Sequence, residues 1–182
     1  MSVENKSYSR FFVESWNELE NEFRSGNINP QHENDVVCYL YYAFATKLKK
    51  KGWPLYLIRT EDTHNIKSQT LRPDLNLNNR LFVEVKMYPL RSYSSGWERK
   101  KVGIEYNVKK LEKYVRYTKS KTSIHVRKPI LALWFRKRDR ANKLPVEDKL
   151  IDSELEKRLE TEKERLSNKV LIVYGPRRLG NR

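Results

Sequence analysis

Leu75, Leu77, Leu81, Val83 and Val85 are apolar and odd-numbered, while Asp74, Asn76, Glu84 and Lys86 alternate with them. This period of two across "RPDLNLNNRLFVEVK" (72–86) constrains the fold more than any other feature of the chain, because it specifies two strands with one buried face. A turn of Asn78-Asn79 alone would set position 77 against 80 and mix the two sets. A three-residue connection, 78–80, or a bulge pairs 77 with 81, 75 with 83 and 74 with 84 instead. A one-residue slip turns every side chain over, so the apolar pattern selects the odd loop.

In that register Asp74 and Glu84 face each other, with Lys86 two residues further along the same face. Two like charges directly opposite destabilise a strand pair by up to about 1 kcal/mol, and by more when desolvated. Relief can come from Lys86 alone, as a salt-bridge cluster, or from a divalent cation, which takes carboxylate oxygens and leaves positions for water and phosphate. A third acid bears on the choice. At about 100° per residue, Val36, Val37, Leu40, Phe44 and Leu48 lie within about 60° of Glu33, whereas Asp35 is roughly 200° away. Glu33 therefore sits in the middle of a face that should be buried. It is either a first-turn acid at the helix dipole or a group pointing into a site.

Around this hairpin the pattern predicts helices and further strands. Phe12, Trp16, Leu19 and Phe23 mark an N-terminal helix over 9–25, and a second helix runs from about His32 to Lys51 and closes at Gly52. "WPLYLIR" reads as a strand and 61–69 as a polar loop. After the basic loop "RSYSSGWERKK", Ile104, Val108, Leu111, Val115 and Thr118 define a third helix. "ILALWF" reads as a buried strand, "VEDKLIDSELEKRLETEKERL" as a charged helix and "KVLIVY" as a last strand. Without a Pro/Gly-rich linker, the 182 residues form one domain. Its core covers about 31–136, and a C-terminal helix and strand cover 145–175. The expected fold is an α/β layered domain, a mixed central sheet flanked by helices.

Lys and Arg number 38 against 23 Asp and Glu, a formal charge of +15. Such self-repulsion points to a polyanionic partner, nucleic acid first and an anionic membrane surface second. No apolar run approaches the roughly 20 residues of a membrane span. The N-terminus lacks the pattern of a signal peptide, and the single cysteine, Cys38, has no internal partner, so an intracellular, reduced setting is expected. His32, His64 and His125 lack zinc-ligand spacing.

Pro73-Asp74, nine intervening residues and Glu84-Val85-Lys86 resemble the PD-(D/E)xK motif of the restriction-endonuclease-like nuclease superfamily. The helix carrying Glu33 resembles that superfamily's first-helix acid. The order helix, three strands, helix, strand over about 31–136 is similar to its common core. The resemblance implies that Asp74 and Glu84 hold Mg²⁺, or Mn²⁺ in its place, with the Val85 carbonyl as a further ligand and Glu33 joining directly or through water. It implies that Lys86 orients or helps deprotonate the attacking water, or offsets charge growing on the phosphate. The implied activity is hydrolysis of DNA phosphodiesters by an endonuclease, either structure-specific in the manner of Holliday-junction resolvases or restriction-like. A homodimer suits either, since paired cuts need paired sites.

DNA contacts are expected from "ERKKVG" (98–103), with Arg99, Lys100 and Lys101, and from Lys109, Lys110, Lys113 and Arg116 off the apolar stripe of the third helix. Tyr93 and Trp97 could stack on bases or belong to the core. The rival from another class is a non-catalytic nucleic-acid-binding protein whose acidic cluster is structural.

Overall fold

The computed structural model describes residues 4–60, 64–66, 69–90, 96–137 and 144–178. In chain order the elements are α1 (Glu4–Arg24), α2 (Glu33–Lys50), β1 (Ile58–Thr60), β2 (His64–Ile66), β3 (Gln69–Leu71), β4 (Leu75–Leu77), β5 (Leu81–Pro89), α3 (Trp97–Lys121), β6 (Ile130–Arg136), α4 (Ser153–Arg165) and β7 (Leu171–Gly175). Five strands form one mixed sheet in the order β1-β4-β5-β6-β7, and β2 and β3 make a separate antiparallel hairpin. β1, β4 and β5 are antiparallel neighbours, whereas β5, β6 and β7 run parallel. The architecture is thus mixed α/β.

The hairpin register is the one its apolar pattern requires: Leu75 pairs with Val83 and Leu77 with Leu81. Asn78 and Asn79 make the reversal with φ of 53° and 55°, a left-handed conformation that asparagine tolerates better than most residues. The Asn76 side chain accepts from the Asn79 N–H at 2.9 Å and donates to the Asn79 side chain at 2.7 Å, which ties the turn to β4.

Alternation then divides the core into two layers. Leu75, Leu77, Leu81, Val83 and Val85 join Ile130, Ala132 and Trp134 beneath α1 and α2. Phe82, Leu131, Leu133 and Phe135 face α3 and α4 on the other side. β6 is apolar on both faces because helices cover both, as expected for a central parallel strand. Trp134 anchors the first layer edge-on against Trp16 and Phe23, with ring centroids 5.7 and 5.3 Å away.

Beyond β7 the chain returns to α1. Glu20 is buried, and its carboxylate accepts the Arg177 N–H and the Arg177 Nη2, each at 2.9 Å. Gly175 is required here: a Cβ would lie 2.5 Å from Glu20 Oε1.

Four boundaries differ from those read in the sequence. α1 begins earlier than residue 9. "WPLYLIR" yields a 3₁₀ turn at Leu55–Leu57 and only three strand residues, because Leu55 and Tyr56 remain exposed and find no layer to pack on. The stretch expected as a polar loop, 61–69, carries β2 and the first residue of β3. The C-terminal helix starts at Ser153, after a 3₁₀ turn at Val146–Lys149. Asp152 sets that start by accepting the Leu155 N–H at 2.9 Å, an N-cap that stabilises by about 1 kcal/mol.

Candidate active site

β5 has nine residues and β4 three. Past Val83, therefore, the β4-side edge of β5 runs on without a strand partner, and its N–H groups need other acceptors. Two carboxylates meet the need. The Val85 N–H donates to Asp74 Oδ2 at 2.6 Å, and the Met87 N–H donates to Glu33 Oε2 at 3.1 Å. In a strand the N–H and C=O of one residue point to the same side, so the Val85 carbonyl faces this edge too. Asp74 reaches it from just before β4, and Glu33 from the first residue of α2.

Helical geometry explains why Glu33 and not Asp35 is delivered. Asp35 turns back to cap the helix, accepting the N–H groups of Gln31 and His32 at 2.7 and 2.9 Å. Glu33 is left to reach the strand edge.

Glu84 and Lys86 project from β5 toward the α3 layer. The Lys86 ammonium lies 2.7 Å from Glu33 Oε1, 3.1 Å from Glu84 Oε1 and 4.0 Å from Asp74 Oδ2. Lys110 of α3 adds a second ammonium 2.6 Å from the same Glu84 oxygen. The sequence-read quartet of Glu33, Asp74, Glu84 and Lys86 is thus one cluster, with Lys110 as a fifth member. Lys110, expected among the DNA contacts of the third helix, turns inward to Glu84 instead. Its only sequence signal is its place beside Asn107 and Tyr114 on the flank of the apolar stripe.

The electrostatics follow from crowding. Burial, then the negative charge of Glu84 and more weakly that of Glu33, push the Asp74 carboxyl up to about 6, against the pull of Lys86 and the Val85 N–H. Burial works against the Lys86 ammonium, but Glu84, Glu33 and Asp74 outweigh it and hold its pKa above the ordinary lysine value. Glu84 is almost wholly buried, its side chain 1% exposed. Its Oε2 is buried with no hydrogen-bond partner, a costly state for a carboxylate oxygen.

An all-oxygen set with one unused buried carboxylate oxygen fits a hard divalent cation. Asp74, Glu84 and the Val85 carbonyl are the groups suited to hold it, while Glu33 is engaged by Lys86 and the Met87 N–H. The acids converge on Lys86 rather than on a common open point. Among the described residues no group of three or more His, Cys, Asp or Glu side chains is arranged to hold a metal ion.

The basic residues divide. Arg99, Lys109, Lys113 and Arg116 are exposed and recur at helical spacing along the outward side of α3. Val102 and Tyr106, 65% and 69% exposed, lie in the same stripe. Lys100 is buried, which lowers its pKa, and Lys101 lies 3.8 Å from Glu162. Trp97 opens α3 half-buried against the second core layer, with the Arg158 guanidinium 5.9 Å over its ring, so its place is in packing. Tyr93 lies outside the described residues.

No protein-family model, no curated protein and no solved structure matches the chain. No helix among the described residues is long and apolar enough to cross a membrane.

Proposed function

We propose that the chain is a divalent-metal-dependent nuclease that hydrolyses DNA phosphodiester bonds, with the mixed sheet acting as a restriction-endonuclease-like core and "PD…EVK" as its PD-(D/E)xK motif. One observation carries the reading. Three carboxylates from α2, the approach to β4 and β5 gather within 4.0 Å of one lysine ammonium, at an open strand edge of a protein with a formal charge of +15.

Asp74 and Glu84, with the Val85 carbonyl, would hold Mg²⁺ or Mn²⁺. When bound, the ion supplies positive charge for a phosphate oxygen and acidity for a water. Lys86 stays protonated and donates toward charge developing on the phosphate. Glu33 fixes the lysine in place through its 2.7 Å contact. The outward cations of α3 hold the nucleic-acid backbone. Pairing of two copies would supply two cuts.

A second reading has its own support. The acids neutralise Lys86 and Lys110 without forming a metal cage, as expected of a nucleic-acid-binding module with a structural cluster. The two separate on incubation of plasmid, single-stranded, branched and RNA substrates with Mg²⁺, Mn²⁺ or EDTA. Metal-dependent cutting lost in Asp74→Ala and Lys86→Ala supports the enzyme. Binding without cutting under every metal supports the module.

A further inference from the structure

The carboxyl ends of the parallel strands β5 and β6 border a cavity of about 560 Å³ beside the acid–lysine cluster. Open α/β sheets receive ligands at the carboxyl ends of their strands, and this volume lies within the roughly 300–1,000 Å³ of small-molecule sites. The cavity and the cluster share residues: Glu33 and Met87 line the cavity, and the Glu33 carboxylate also accepts the Met87 N–H and the Lys86 ammonium. Whatever fills the cavity therefore adjoins whatever occupies the cluster.

Its walls differ in character. Met87, Pro89 and Leu90 give it an apolar side, while the Tyr88 ring at the same strand end stacks on Phe135 at 5.8 Å in the layer beneath α3. Arg136 and Lys137 supply positive charge. The Arg136 guanidinium is fixed rather than free, since its Nη1 donates to the Gln31 carbonyl at 2.5 Å and its Nη2 to the Gln31 side-chain oxygen. A slot with an apolar wall and a fixed cation matches a base, which needs apolar cover, joined to an anionic phosphate. A duplex keeps its bases stacked and paired, so only a nucleotide that has left the stack can enter such a slot.

We propose that the cavity holds the nucleotide adjoining the phosphodiester under attack, its base against the Met87–Leu90 wall and its outer phosphate toward Arg136 and Lys137. The protein accordingly acts on unpaired rather than continuously stacked DNA. The inference rests on the nuclease reading for what lies on the cluster, but the cavity's own occupant is measurable without cleavage.

The full chain in EDTA is titrated with 2-aminopurine deoxyribonucleoside monophosphate, followed by fluorescence and competed with dAMP or inorganic phosphate. Mg²⁺-dependent cleavage is compared between a continuous duplex and the same duplex with one bulged nucleotide. Leu90→Trp fills the slot and Lys137→Glu reverses its charge, and thermal unfolding reports whether each variant is folded. The expected result is saturable binding, displaced by dAMP at least about tenfold more effectively than by phosphate and weakened about tenfold or more by each folded variant. The bulged duplex is cut faster by a similar factor, and Leu90→Trp removes that advantage. Binding indifferent to both variants, phosphate competing as well as dAMP (an anion site only), or equal cutting of the two duplexes overturns the proposal. Variant-sensitive nucleotide binding with no cutting of any substrate retains the nucleotide site and removes the nuclease reading.

Discussion

Lys110 on α3 places its ammonium 2.6 Å from Oε1 of Glu84 on β5, the same oxygen that Lys86 approaches to 3.1 Å, while Glu84 Oε2 has no partner. One oxygen of this buried carboxylate is thus doubly neutralised and the other is left over. Lys110→Met removes one of the two cations. In EDTA the variant should be less stable by about 1–3 kcal/mol, measured by urea unfolding. With one competing ammonium gone, Mg²⁺ should bind Glu84 more tightly, giving a larger Mg²⁺-induced rise in Tm than in the wild type. An unchanged or smaller rise would show that Glu84 does not take the ion.

Asp74 carries a pH signature. Burial first and Glu84 second raise its pKa to about 6 in the folded chain, against about 3.9 when unfolded. The native state therefore binds the proton more tightly. The contribution of Asp74 to stability is complete below about pH 4 and is lost as pH rises through about 6. Without metal at pH 7, Asp74→Asn should be more stable than the wild type by up to about 3 kcal/mol, with the difference vanishing near pH 4. Urea unfolding in EDTA at the two pH values is the check. A less stable Asp74→Asn at pH 7 would mean that attraction to Lys86 outweighs the cost of burial.

Glu84→Gln tests the same coupling from the other side. Removing the Glu84 charge should lower the Asp74 pKa from about 6 toward the ordinary carboxylate range, because the second-largest cause of its elevation is gone. The carboxyl ¹³C chemical shift of Asp74, followed by NMR against pH, reads this directly.

The outward stripe of α3 predicts a salt dependence. Replacing Lys109, Lys113 and Arg116 with Ala should reduce the slope of log K against log salt on duplex DNA by about 2–3 if each meets a phosphate. The thermal stability of the fold should stay near that of the wild type, because all three side chains are exposed. Tyr106→Ala should weaken single-strand binding by about 1–3 kcal/mol and leave the salt slope intact. A slope unaltered by the triple variant would move the nucleic-acid surface elsewhere.

Away from the site, Glu20→Ala should destabilise by about 1–3 kcal/mol, since it removes the buried acceptor of the Arg177 N–H while the Arg177 guanidinium, 39% exposed, regains water. Gly175→Ala should also destabilise by displacing Glu20 from Arg177. Calorimetry on the full chain measures both.

The cluster was legible where it depended on local period. Two-residue alternation put Glu84 and Lys86 on one face, and the helical wheel singled out Glu33 over Asp35. The register of 75 with 83 followed from the same alternation. Lys110 was not legible in that way, because its nearness to Glu84 depends on how α3 lies across β5, and helical spacing says nothing about that. The hold of Arg177 on Glu20 joins residues 157 positions apart, and the cavity is bounded by strand ends that become neighbours only when β5 and β6 pair. The short β1 shows a different limit: "WPLYLIR" has strand composition, but only Ile58 is buried.

The brevity of β4 has a consequence for evolution and for design. The cluster exists because hydrogen-bond zipping between β4 and β5 stops at Leu75↔Val83, leaving Val85 and Met87 to recruit side chains in place of backbone. A β4 extended backward by two or three strand residues would satisfy those amides itself and crowd Asp74 and Glu33 out. The acid–lysine cluster and a finished ladder are alternatives at this margin, and selection for a tidier sheet would erase the opening.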